Sequence, residues 1–358
     1  MWNVESGLQS SDSSSVSAKK RWTMPSPHTI EVTEQIERLK AMKRQESTQC
    51  MIPDYLSPEW QARLAEAEVS DPPTDESTPA SSSEPINELW REKICEWCYN
   101  VVDHYELPRE SVSVAMSILD RYVSSRFITP TTYTLAGVTA IHIAIKLGSP
   151  LTLRMKYLLA LCAGKITAGE IASMELTMLS ALSWRVSGPT AADFCGELID
   201  SSFTESTPHA LNGLQEMARY LTELAVCEYF FVTRKPSSIA LASIICAIEL
   251  TNDQVDPRDK DRFISRVAQA GMDIIDEEVT ECYERLRVMY ERNVVVNKEV
   301  EDFDGEVRGE RGQGSPTGVG EGPDAKTASK KRKRVKEVDN EGRLITEHGE
   351  EIARFSPE

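Results

Sequence analysis

Residues 134–148 read TLAGVTAIHIAIKLG, a run whose single charge, Lys146, lies near its end. A segment apolar on every side has no face to offer water, so it predicts a helix buried inside a domain. Its start is placed at Thr131 or Thr132, after Pro130, and its end at Gly148. A lysine in the last turn suits the carbonyl end of the helix dipole; it is also placed to grip a partner. The stretch has a counterpart further on. PTTYTLAGVTA from Pro130 and PSSIALASIIC from Pro236 share a proline, two hydroxyl residues, then Leu-Ala and a small and a β-branched residue, at an offset of 106. Two buried central helices predict two helical units in tandem, and two copies are too few for a solenoid.

The flanking sequence has helical periodicity. Trp90, Ile94, Trp97, Val101 and Tyr105 form one stripe, and Val112, Ala115, Met116, Leu119 and Val123 follow Pro108 as a second. RMKYLLALCAG precedes a fifth helix, opened by Thr167 with Glu170 three residues on and continued by Ile171, Met174, Met178, Leu179 and Leu182. That threonine–glutamate spacing is a capping box. After SGPT the pattern restarts at Thr190 and Asp193, with helices expected near 209–230, 236–250, 258–270 and 274–292. No strand alternation is evident, and the middle reads as all-α, with units at 86–187 and 188–292. Residues 1–85 and 293–358 are expected to be largely disordered, apart from the helical candidate PEWQARLAEAEV. The stretch 70–85, SDPPTDESTPASSSEP, is too polar to fold and has the composition of rapidly degraded proteins.

Bulk properties narrow the function. The net charge of −17 disfavours binding nucleic acid through the bulk field and favours protein partners. No apolar run reaches a membrane span, and the start MWNVESGLQSSDSSS has no signal-peptide pattern. The scattered cysteines suit reduced, buried thiols. CEWC, Cys95 to Cys98, has metal or redox spacing, with His104 the only other ligand type close by, and reads as ordinary helix cysteines. Glycine-rich phosphate loops, G-x-S-x-G and H-E-x-x-H are all missing, so neither catalytic residues, a metal nor a cofactor is expected.

The segments together resemble the cyclin family. WREKICEW is similar to the family's M-R-x-I-L-x-D-W through Arg91, Ile94, Glu96 and Trp97; ILDRYV to L-D-R-[FY]-L through Leu119, Asp120 and Arg121; AIKLGS to A-S-K-[YFL]-E-E through Ala144 and Lys146. MELTMLSALSWRVSGPT resembles M-E-x-x-[IL]-L-x-x-L-x-[FW]-x-x-x-x-P-T, and ARYLTELAVCEY and KPSSIALASI resemble the C-terminal fold. The resemblance covers about 200 of 358 residues. It implies two tandem five-helix cyclin folds and a regulatory subunit that binds and activates a cyclin-dependent serine/threonine kinase by holding its αC helix inward. It also implies that Lys146 and Glu175 bind the kinase, that Arg91 and Asp120 form a structural salt bridge, and that Trp90, Ile94 and Trp97 belong to a docking surface. Cell-cycle control is the expected role; the alternative is a transcriptional cyclin or another cyclin-fold interaction protein. A promoter-bridging factor of this fold would need a zinc ribbon, and residues 1–85 contain only Cys50.

The chain departs from the family at Trp90, Lys93, Gly148 and Ser149, where an apolar pair and two glutamates are usual. There is no Arg-x-x-Leu destruction box, so ubiquitin-ligase machinery is expected to act through 70–85 if it acts at all. Lys330, Lys331, Arg332, Lys333 and Arg334 form a candidate nuclear-import signal, predicting a nuclear protein that shuttles with the cytoplasm. Ser26, Ser57, Thr78, Ser315 and Ser356 each precede proline outside the expected core, and the fragment 86–292 is expected to suffice for folding and kinase binding.

Overall fold

The computed structural model describes residues 27–69, 86–148, 153–251 and 254–309, together with three short strands between 335 and 353. Two helices come first, α1 (Pro27–Gln49) and α2 (Pro58–Val69). The first unit contains α3 (Glu88–His104), α4 (Glu110–Val123), α5 (Pro130–Gly148), α6 (Met155–Leu161) and α7 (Ala168–Ala181). The second contains α8 (Ala191–Ser202), α9 (Pro208–Cys227), α10 (Pro236–Leu250), α11 (Pro257–Gln269) and α12 (Glu277–Gly309). Both units have the expected five helices.

Local chemistry sets the helix starts. The Thr167–Glu170 and Thr190–Asp193 capping boxes are both formed, each satisfying amides that a helix start leaves unpaired. Pro236 occupies the first turn of α10, where its missing N–H costs nothing. Helix α5 begins at Pro130, slightly earlier than expected, and the Thr129 hydroxyl accepts the Thr132 amide at 3.3 Å. Each unit is built around its apolar helix. In α5 the run Tyr133 to Ile145 is buried apart from Leu135, packed against α3, α4 and α7. In α10 the buried residues run from Ser237 to Ala247, against α8, α9 and α12.

The N-terminal region differs from expectation. Residues 27–69 form α1, α2 and the eight-residue link between them, and strap across both units. Leu39 of α1 is fully buried in the second core, and Tyr55, between α1 and α2, is fully buried in the first. The buried Glu46 carboxylate accepts the amide (2.6 Å) and hydroxyl (2.9 Å) of Ser237, capping α10 from another element. Burial raises the Glu46 pKa, and the Ser237 hydrogen bonds only partly oppose that. Trp60 of α2 donates its indole N–H to the Ser124 carbonyl at 3.0 Å. Cys50 packs on the link between units so closely that a Cβ on Gly188 would fall 2.8 Å from its sulfur. The helical candidate PEWQARLAEAEV forms α2 as expected; the stretch before it was expected to be disordered because its apolar residues are sparse, and it is ordered by a few anchors whose partners lie far away in sequence.

Three short strands are described in the C-terminal region. Val335–Val338 (β1), Leu344–Thr346 (β2) and Glu351–Ala353 (β3) form an antiparallel sheet in the order β1-β2-β3, with β3 beside α3. Val335, Val338, Leu344, Ile345 and Ile352 supply β-formers in a stretch whose overall polarity suggested disorder. Among the described residues no helix is long and apolar enough to cross a membrane.

Candidate protein-docking site

Packing of α5 against α7 brings Lys146 and Glu175 together as an ion pair. The lysine side chain is 41% exposed and the glutamate 22%, so the pair lies at the surface with spare hydrogen-bonding capacity facing outward. One turn earlier on α5, His142 is buried; burial first, then the neighbouring Lys146 charge, lowers its pKa against the pull of Glu175. The imidazole is therefore held neutral, and Lys146 is the cation of this helix end. Leu147 and Leu176, each next to a member of the pair, are exposed. After α7 the chain turns through Ser183 and Trp184, both with positive φ (52° and 61°) although neither is glycine. This unusual backbone is tied by the Trp184 amide to the Leu179 carbonyl at 2.8 Å and leaves the indole 65% exposed. A charged donor and acceptor flanked by exposed apolar side chains form a surface suited to a protein partner. The apolar residues escaped sequence reading because spacing shows which residues lie on a helix but not which lack a cover.

Arg91 and Asp120 form the expected bidentate pair between α3 and α4, Nε to Oδ1 at 3.0 Å and Nη2 to Oδ2 at 2.9 Å, each side chain 4% exposed. Its reach is wider than expected. The third guanidinium nitrogen donates to the Val226 carbonyl of α9 at 2.9 Å, and the Tyr55 hydroxyl donates to Asp120 at 2.8 Å. Burial opposes the Arg91 charge, but Asp120 outweighs it and raises the arginine pKa further. One ion pair thus ties the N-terminal segment, the first unit and the second.

The proposed docking surface of Trp90, Ile94 and Trp97 is corrected. Ile94 and Trp97 are buried in the first core, and Trp90 is half-buried with its ring edge-on to Tyr133 at 6.5 Å. Their i, i+4, i+7 spacing already marked the core-facing stripe. The exposed face of α3 is Leu89, Glu92, Lys93 and Glu96, mostly charged. Cys95 and Cys98 are buried mid-helix, and Cys95 meets Cys227 of the second unit. Ser57 is half-buried rather than free: its hydroxyl donates to the Asp54 carbonyl at 2.8 Å and accepts the Trp60 amide at 3.4 Å. The basic cluster Lys330–Arg334, the stretch 70–85, and Ser26, Thr78, Ser315 and Ser356 lie outside the described residues.

Two tandem five-helix units joined at a short link define a class of helical interaction modules. The chain belongs to the cyclin family: the model of the cyclin N-terminal domain matches residues 59–187 and that of the cyclin C-terminal domain 189–300. The first match begins within α2. Among its relatives, a G2/mitotic-specific cyclin-B of Dictyostelium discoideum is 31% identical over 46% of this chain and 37% of its own length. Cyclin-A2-2 of Arabidopsis thaliana is 28% identical over 46% of this chain and 38% of its own. The aligned region therefore spans well under half the length of these relatives. A viral cyclin from herpesvirus saimiri, known from an X-ray structure, shares the fold at 19% identity with a TM-score of 0.53, covering 70% of this chain and 95% of that one.

Proposed function

We propose that this chain is the regulatory subunit of a cyclin-dependent serine/threonine kinase, binding and activating it without catalysing a reaction itself. The observation that carries the reading is the Lys146–Glu175 pair, solvent-accessible at the end of the central helix and flanked by Leu147 and Leu176. Against a kinase helix, the ammonium donates to backbone carbonyls and the carboxylate accepts backbone amides. The leucines bury apolar area around these contacts, shielding them from water and strengthening them. Relatives named as G2/mitotic-specific cyclins support a role in cell division. Nuclear action through Lys330–Arg334 is part of the same proposal: alanine at all five positions is expected to shift a fluorescent fusion toward the cytoplasm, and unchanged nuclear signal removes that segment from the account.

Affinity capture of the full chain, with identification of the co-purifying kinase, tests the reading. Lys146→Ala and Glu175→Ala are each expected to weaken kinase binding. Truncating one partner of a contact buried in a complex costs about 2–5 kcal/mol, or roughly 30- to 4,000-fold at about 1.4 kcal/mol per tenfold. The free chain is expected to melt nearly unchanged, because a surface pair contributes about 0–1 kcal/mol. Undiminished capture of active kinase by both variants would sink the reading. Recovery of a transcriptional kinase, with abundance constant through the division cycle, would move the protein to the transcriptional branch of the family.

A further inference from the structure

Eight cysteines are free in this chain, and two of them touch across the interface between units. Cys95, fully buried on α3, directs its sulfur at that of Cys227, the last residue of α9, 3.7 Å away. A disulfide needs about 2.05 Å between sulfurs, so side-chain rotation must close roughly 1.7 Å. The surroundings divide the roles. Cys227 is partly exposed, and its pKa is lowered, chiefly by the hydrogen bond from the Cys95 thiol and then by the Arg91 and Arg109 charges, against burial and Glu223. Cys95 is pushed well up and keeps its proton, its bond to Cys227 being the leading cause. Burial holds the thiols of Cys50, Cys162 and Cys246 up at about 11 and that of Cys282 at about 12. Thiolate character and access are what make a cysteine reactive, and both favour Cys227.

We propose that Cys95 and Cys227 are a redox-active dithiol, a modification site that a hydroperoxide converts into a disulfide stapling α3 of the first unit to the end of α9 in the second. The Cys227 thiolate attacks the distal peroxide oxygen; the O–O bond breaks, the leaving oxygen takes up a proton, and Cys227 becomes a sulfenic acid. Cys95 then gives up its proton and attacks the Cys227 sulfur. The S–S bond forms, the S–O bond breaks, and the oxygen departs as water. The two thiols lose two electrons and the peroxide gains them. Since Arg91 already holds the Val226 carbonyl at 2.9 Å next door, closure needs little movement between the units. Reduction by a dithiol reverses the step.

The test treats the reduced full chain with hydrogen peroxide, maps non-reduced peptides by mass spectrometry and follows thermal melting. The expected result is a Cys95–Cys227 cross-linked peptide pair and a melting temperature raised by roughly 5–15 °C, as closing a long loop in the unfolded chain implies, both reversed by dithiothreitol. Cys227→Ser, a single-atom change at a partly exposed site, is expected to abolish both effects. Cys95→Ala removes the resolving thiol and the hydrogen bond that chiefly lowers the Cys227 pKa, and is expected to give neither the cross-linked pair nor the stabilising shift. A peroxide-treated chain with no such peptide pair, or with cross-links joining other cysteines instead, would overturn the proposal, as would a stabilising shift that survives in Cys227→Ser. The readouts do not involve a kinase, so the outcome is independent of the proposed regulatory function.

Discussion

Arg91 donates three hydrogen bonds from a buried position, two to Asp120 and one to Val226. A charge so placed is tolerable only while its counter-ion stays. Asp120→Ala removes the counter-ion and also strips the Tyr55 hydroxyl of its acceptor. The expected cost is about 3–5 kcal/mol, read as a fall of roughly 10 °C in the circular-dichroism melt at about 2–4 °C per kcal/mol. Tyr55→Phe deletes one bond and is expected to cost about 1–2 kcal/mol. A loss under about 1 kcal/mol for Asp120→Ala would mean that the pair only marks a packed site. Lys146→Ala is expected to show the opposite profile, near-normal melting with lost partner binding.

At the scale of elements, two contacts carry testable consequences. Helix α5 crosses α3 at Gly137, where a Cβ would lie 2.9 Å from Ile94 Cδ1 and 3.0 Å from its Cγ2. Ile94 is itself 1% exposed and has little room to move. Gly137→Ala is therefore expected to destabilise by about 1–3 kcal/mol, despite alanine's better helix propensity, and a stabilised variant would show that the crossing relaxes freely. Helix α1 docks on α10 through Glu46. Because burial raises the folded-state pKa of this carboxyl above its ordinary 4.5, the folded protein binds the proton more tightly than the unfolded chain. Its contribution is fully present below 4.5 and is lost as pH rises through the folded value. The stability advantage of wild type over Glu46→Gln is thus expected to be largest in mild acid and to shrink toward neutrality. Melts of the two proteins across that range check it, and a gap widening with pH would reverse the assignment.

For the whole molecule, the strap over both units changes which fragment is a folding unit. Residues 86–292 alone would uncover the sites of Leu39 and Tyr55, each fully buried, and leave Ser237 without Glu46. Losing two large apolar anchors costs about 1.5–3 kcal/mol each by transfer alone. The fragment 86–292 is therefore expected to melt roughly 5–20 °C below 27–309. Equal melting would show that the strap lies on a framework already complete without it.

The sequence by itself determined the helices of the two units and their tandem arrangement, because these rest on short-range chemistry. Capping boxes act over three residues, apolar stripes over one or two turns, and the all-apolar α5 and α10 have to be central since no face suits water. The pairing of Lys146 with Glu175 and of Arg91 with Asp120 was legible through the family resemblance, since neither spacing implies contact. Only the tertiary structure decided the rest. It buried Ile94 and Trp97, exposed Leu147, Leu176 and Trp184, and drew residues 27–69 onto the core. It also set Cys227 against Cys95, 132 positions earlier in the chain. The physical reason is common to all of these: burial is a property of what arrives from elsewhere in the chain, and a lone tyrosine in a polar stretch looks the same in sequence whether or not a cavity is waiting for it.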